Sequence, residues 1–141
     1  IMGFSIAEVT SLIDAHFPQA RDDVGGFVIE ELPPLGARVR LPVQDRFIRP
    51  GGSVSGPTLF KLADLTVYVA LIGEKGDGAI QAVTSTMTIN FLARPEPADL
   101  ICEALILRLG RRLAVAEARL MSAGKADLVG HATCTYAMPH I

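Results

Sequence analysis

The chain has no tryptophan, two cysteines and few aromatic residues of any kind (6%). It is also short of charge, with 20% Asp, Glu, Lys and Arg against about 25% in an average soluble chain. Each shortage excludes something. A formal net charge of −2 gives no basic footprint for nucleic acid and no polybasic patch for a membrane surface. Cys102 and Cys134 lie far apart in apolar stretches, with no second Cys or His at ligand spacing. They read as buried thiols rather than as a disulfide or as metal ligands. The opening Ile1-Met2-Gly3 leads into neither the basic start nor the continuous apolar stretch of a signal peptide. The longest apolar tract, 59–73, contains Lys61 and Asp64 and is too short to span a bilayer. The expectation is a soluble cytoplasmic protein with no nucleic-acid or membrane partner. What the chain does have is apolar material, half of its 141 residues. A chain of this length buries roughly 70% of its unfolded surface without staples. The apolar share predicts a large core, surface hidden in an oligomer, or both.

Ser5, with Glu8 three residues on, has the pattern of a capping box. Ile6, Val9, Leu12, Ile13 and Phe17 follow at helical spacing until Pro18, predicting an N-terminal helix within 1–20. Residues 21–26 read as a turn-rich link. Two strands, 27–31 and 37–41, flank a Pro33-Pro34/Gly36 turn and predict a hairpin. A loop rich in Gly, Pro and Ser (49–57) leads into a helix over 56–73, apolar on most sides and therefore expected to be buried. Gly73 and Gly76 are placed to end it. In 83–91 the odd positions are mostly apolar and the even ones Thr or Asn, the period of a strand with one dry and one polar face. Three more strands follow: 100–109, 113–122 after the Gly110-Arg111-Arg112 turn, and 126–138. No repeat, linker or low-complexity tract interrupts the chain, so 1–141 reads as one domain. One fully apolar helix among strands joined by tight turns predicts an α+β fold in which an antiparallel sheet wraps the helix.

The segment Ser55-Gly56-Pro57 … Leu62-Ala63-Asp64, the run 84–95 with Asn90-Phe91-Leu92 before an Arg-Pro turn, and Gly110-Arg111-Arg112-Leu113-Ala114-Val115 occur in that order. In order and spacing they resemble the hotdog-fold thioesterases, most closely the phenylacetate-pathway (PaaI-like) branch, over roughly 25–138. That family carries His-Gly-Gly, four variable residues, then Leu-x-Asp on the central helix. Here its His is Ser55 and its second Gly is Pro57. An Asn often found six residues before that His aligns with Arg49, and the acid is kept as Asp64.

The resemblance implies hydrolysis of acyl-CoA thioesters without metal or cofactor, at a site shared between subunits of a dimer or a dimer of dimers. The residues point to compatible chemistry. A helix N-terminus offers free N–H groups and the positive end of the helix dipole. Gly56, at that terminus, is the oxyanion-hole candidate, and Pro57 suits the first helical turn. Ser55 is placed to cap the helix or touch substrate. Asp64 is the candidate nucleophile or general base. Eight residues of helix separate it from Gly56 by about 12 Å, so the two reach one carbonyl only from different subunits. The resemblance makes Thr84 a residue that helps place water. Arg49, Arg94, Arg111 and Arg112 are candidates for the CoA phosphates.

Plainer readings stand beside these. Asp64 pairs with Lys61 one turn earlier. Ser55 to Pro57 form an ordinary turn, and Thr84 is a strand residue on a polar face with Thr86 and Thr88. Arg111 and Arg112 make a solvated hairpin turn, and His16, His131 and His140 are ordinary histidines. The rival functions are a non-catalytic acyl-CoA binder, favoured by the Ser55, Pro57 and Arg49 departures, and a hotdog hydratase or dehydratase.

Overall fold

The computed structural model describes residues 3–139. His140 and the remaining terminal residues lie outside that range. The element order is α1 (Ile6–His16), α2 (Gln19–Val24), β1 (Val28–Glu31), β2 (Gly36–Leu41), α3 (Gly56–Lys75), β3 (Val83–Phe91), β4 (Leu100–Leu109), β5 (Leu113–Ser122) and β6 (Leu128–Ala137). Short 3-10 turns occupy Asp45–Phe47 and Gly76–Ala79. The six strands form one antiparallel sheet in the order β1-β2-β4-β5-β6-β3, curled around α3. This is the hotdog arrangement.

The packing follows from residue size. The sheet faces α3 with Val39 and Leu41 of β2, Cys102 and Ala104 of β4, Ala114, Ala116 and Ala118 of β5, and Ala132 and Cys134 of β6, all buried. Small side chains at the middle of the sheet let a helix crowded with Leu, Val and Ile come close without voids. Thr66, the fully buried hydroxyl on α3, donates to the Leu62 carbonyl at 2.7 Å and so carries no desolvation penalty. In length and composition 56–79 would pass for a membrane span, contrary to the shorter tract read from sequence. However, 72% of its most apolar window is buried within the chain, as in a core helix.

Several boundaries and one element differ from the sequence expectation. The capping box is present: Ser5 Oγ accepts from the Glu8 N–H at 3.1 Å, and Glu8 Oε1 accepts from the Ser5 N–H at 2.8 Å. The N-terminal helix occupies only Ile6–His16 of the expected 1–20. Residues 21–26 do not form a simple link, because α2 lies across them, closed by Gly25 in the left-handed region (φ 73°). Arg21 anchors it, donating to Asp14 (3.1 Å) and to the Phe27 carbonyl (3.0 Å), with its guanidinium 4.4 Å from the Phe27 ring centre. The central helix runs two residues past the expected 73. Gly73 stays helical, and Gly76 caps the end. The last strand is 128–137 rather than 126–138.

Two departures bear on function. The first concerns α3, which is not buried on all sides. Pro57, Phe60 and Lys61 are exposed and Asp64 is half-buried. At about 100° per residue these four lie on one stripe, and from Leu65 to Gly73 the helix is covered. The second concerns β3, which carries a bulge between Thr84 and Thr86. Thr84 pairs with Tyr136, and Met87 with Cys134. The extra residue therefore puts Thr84 on the helix-facing side with Met87 and Ile89, while Thr86 and Thr88 face outward with Thr133 and Thr135. The expected common face of Thr84, Thr86 and Thr88 does not form.

Close helix-to-sheet approach makes Ala116, 1% exposed, intolerant of bulk. Ala116→Leu is expected to lower stability by about 1–3 kcal/mol, read as a fall in the urea midpoint with an unchanged slope.

Candidate active site

Asp64 sits where α3 passes from half-exposed to covered, and two hydroxyls meet one of its carboxylate oxygens. Thr84 Oγ1 donates to Asp64 Oδ1 at 2.6 Å, and the Tyr136 hydroxyl lies 2.7 Å from the same oxygen and 3.0 Å from the Asp64 carbonyl. Asp64 Oδ2 has no hydrogen-bond partner among the described residues. Lys61 makes no ion pair with Asp64, so the plain reading of an i, i+3 helix pair does not hold.

Beside the carboxylate lies a cavity of about 700 Å³. The end of α1 and one face of α2 form one wall, through Phe17, Ala20 and Val24, and α3 contributes Lys61, Leu65 and Tyr68. His16, at the end of α1, also reaches it, whereas His131 lies on the outer sheet face, hydrogen-bonded to Glu117 at 2.8 Å. An aromatic row floors the cavity. Phe17 meets Tyr68 edge-on with centroids 5.9 Å apart, and Tyr68 stacks on Tyr136 at 6.3 Å and 20°. The Tyr68 hydroxyl donates to the Ile80 carbonyl at 2.7 Å, so neither buried phenol is left unsatisfied.

Burial raises the pKa of the Tyr136 phenol far above its ordinary value, and the adjacent Asp64 charge adds to this. The phenol therefore remains a proton donor at any working pH. Burial also pushes the Cys134 thiol up to about 12, with a smaller push from Asp64, and raises Cys102 to about 12 by burial chiefly. Neither thiol is a nucleophile near neutrality. Among the described residues no three His, Cys, Asp or Glu side chains gather as a metal site requires.

The other candidates are placed elsewhere. Gly56 begins α3, and its N–H has no acceptor among the described residues. The Phe91 ring lies over its Cα, 3.3 Å from where a Cβ would sit. Ser55 holds the N-cap position, but its hydroxyl pairs with the Thr58 hydroxyl at 2.8 Å rather than with a backbone N–H. Pro57 is exposed beside a smaller recess shared with Arg46 and Lys61. Arg49 is exposed on the loop before α3, and Arg94 lies against Gly51 of the same loop. Arg111 and Arg112 are exposed at the β4–β5 turn. None of these arginines lines the cavity. Thus the chain unites Asp64 with Thr84 and keeps both apart from Gly56, Ser55 and Pro57.

Tyr136, Tyr68 and Phe17 are not among the site candidates drawn from the sequence, where Phe17 counts only toward the first helix. One signal was available for Tyr136: a tyrosine at an inward position of a strand needs a partner for its hydroxyl.

The thioesterase superfamily model matches residues 51–129. Among solved structures, a candidate thioesterase of Silicibacter sp. TM1040 is 36% identical with a TM-score of 0.86, the match covering 99% of this chain and 95% of that one. A conserved protein of Pseudomonas aeruginosa is 28% identical with a TM-score of 0.74, over 87% and 99% of the two chains. The Escherichia coli PaaI protein of the phenylacetic acid degradation operon shares the fold at 18% identity and a TM-score of 0.74, over 92% and 95%. No curated protein matches. A helix carrying an acid beside a cavity, wrapped by this sheet and matched over this span, makes the chain a member of the thioesterase superfamily.

With both thiols raised to about 12, roughly one in ten thousand is ionised at pH 8. A thiol reagent such as DTNB is expected to leave the native protein unmodified at pH 8 and to count two thiols after guanidinium unfolding. Fast labelling of the folded protein would contradict the buried placement.

Proposed function

We propose that the protein hydrolyses acyl-CoA thioesters, with Asp64 as the reacting acid. The observation that carries this reading is the carboxylate itself: one oxygen is held by two hydroxyls and the other is free at the edge of a cavity large enough for an acyl group. An acid placed on an otherwise apolar helix is costly unless it is used or paired. Here its pairing leaves Oδ2 available. With Asp64 as general base, water adds directly to the thioester carbon; with Asp64 as nucleophile, its carboxylate adds first, expels the thiolate and leaves a mixed anhydride that water then hydrolyses. In either case the C–S bond breaks, the sulfur leaves as CoA thiol after taking a proton, and the acid is released.

The charge that develops on the thioester oxygen needs a donor, and the Gly56 N–H at the positive end of α3 is the candidate. About 12 Å of helix separate Gly56 from Asp64. In this reading Gly56 therefore comes from a second subunit, and the functional unit is a homodimer or a dimer of dimers. The free edge of β3 supports the pairing. This edge strand is nine residues long, bears no charge and is exposed along most of its length. Such an edge suits antiparallel addition of a second copy. Arg49 and Arg94, on loops close to the start of α3, are the nearer candidates for CoA phosphates. Arg111 and Arg112, on a hairpin turn, are the more remote ones. No resident cofactor is invoked, and the expected location is the cytoplasm.

The Ser55, Pro57 and Arg49 departures favour a protein that binds acyl-CoA without turnover, and the same assay separates the two. Thiol release from aliphatic and aryl acyl-CoAs is expected with the native protein and is expected to fall by about 10²–10⁴-fold in Asp64→Ala. Binding without release on any substrate would support the binder instead. Light scattering at micromolar concentration is expected to give at least twice the 15.0 kDa chain mass; a monomer would remove the shared site.

A further inference from the structure

We propose that Tyr136 is the positioning residue for Asp64, locking Oδ1 so that Oδ2 alone is the reacting oxygen. This rests on the proposed hydrolase reading and adds an atom-level assignment to it.

A carboxylate on a helix has two equivalent oxygens and a soft terminal torsion. Left alone at a cavity edge it turns freely, and both oxygens sample the space where a thioester carbon must sit. Two features remove that freedom here. The Thr84 and Tyr136 hydroxyls converge on Oδ1 from two adjacent strands, at 2.6 and 2.7 Å. The two donors differ in rigidity. Thr84 is the second residue of an edge strand, next to a bulge, and is exposed. Tyr136 is 3% exposed on β6, which is paired on both sides. Its ring is stacked on Tyr68, which Phe17 in turn meets edge-on. The phenol therefore cannot swing away from Asp64 without dismantling the aromatic row that floors the cavity.

The second feature is chemical. Tyr136 stays protonated, so it only donates, and its single proton goes preferentially to the charged acceptor rather than to the Asp64 carbonyl at 3.0 Å. A donor that never titrates cannot be the base that activates water. Its contribution is geometric: it fixes the carboxylate plane and leaves Oδ2 unpartnered on a residue that lines the cavity. Holding a reacting group in one geometry is worth a large rate factor, and a displacement of about 1 Å can cost about 10²-fold.

The test is a cycle of Tyr136→Phe and Asp64→Asn, measuring kcat and KM for thiol release together with the thermal midpoint. Phenylalanine keeps the ring and its stacking and deletes only the hydroxyl. The expected result is a kcat reduced by about 10- to 10²-fold with KM unchanged, and no further loss when Tyr136→Phe is added to Asp64→Asn. A structural role would instead lower the residual activity of Asp64→Asn by the same factor, and that outcome overturns the proposal. Unchanged kcat in Tyr136→Phe, with Asp64→Asn inactive, overturns it while leaving the hydrolase reading intact. Full activity in Asp64→Asn, or none in the native protein, overturns the hydrolase reading and the assignment with it. Should Tyr136→Phe fail to fold, Thr84→Val removes the other donor to Oδ1. The locked-oxygen proposal then requires a kcat loss that likewise vanishes in the Asp64→Asn background.

Discussion

A helix that is apolar around most of its circumference cannot be left against water, and a flat layer covers only one of its faces. The curled sheet meets that demand on α3, and most of the architecture follows from it. The strands must be long, as β4, β5 and β6 are at ten residues each, and must carry small residues where the helix comes nearest. The alanines of β5 and the buried thiols of β4 and β6 follow from that need for close approach. Connections between the last strands shrink to tight turns because antiparallel neighbours need no more.

The wrap is incomplete along the stripe of Pro57, Phe60, Lys61 and Asp64. The short helices α1 and α2 partly roof that gap, and the space left between roof and helix is the cavity. The chemistry therefore falls where the core construction stops. The same boundary that admits a substrate lets a carboxylate survive on the helix, half in water and half against hydroxyls from β3 and β6. Anything that closed the gap more completely would exclude both the charge and its ligand.

The long central helix, the six strands and the acid on the helix were legible in the sequence because each leaves a periodic or compositional mark. The separation of Gly56 from Asp64 was legible too, since helix rise is fixed. Other features leave no such mark. The six residues of α2 are too few to display a helical period, with only Ala20 and Val24 one turn apart. Tyr136 and Asp64 are 72 residues apart, and only the curl of the sheet brings them together. The bulge in β3 sits in a run of Thr and Ser where one residue looks like the next. The alternation of 83–91 consequently groups Thr84 with Thr86 and Thr88 and misses its turn toward the helix.

That bulge ties the site to strand register as well as to residue identity. Straightening the strand at constant length would keep Asp64, Thr84 and Tyr136 in the sequence yet put Ser85 opposite Tyr136 and send the threonine hydroxyl to the far face of the sheet. Two homologous chains could thus agree at every residue of the site and differ in whether the site is assembled. For this fold, the pairing register of β3 carries as much functional meaning as the identity of the acid.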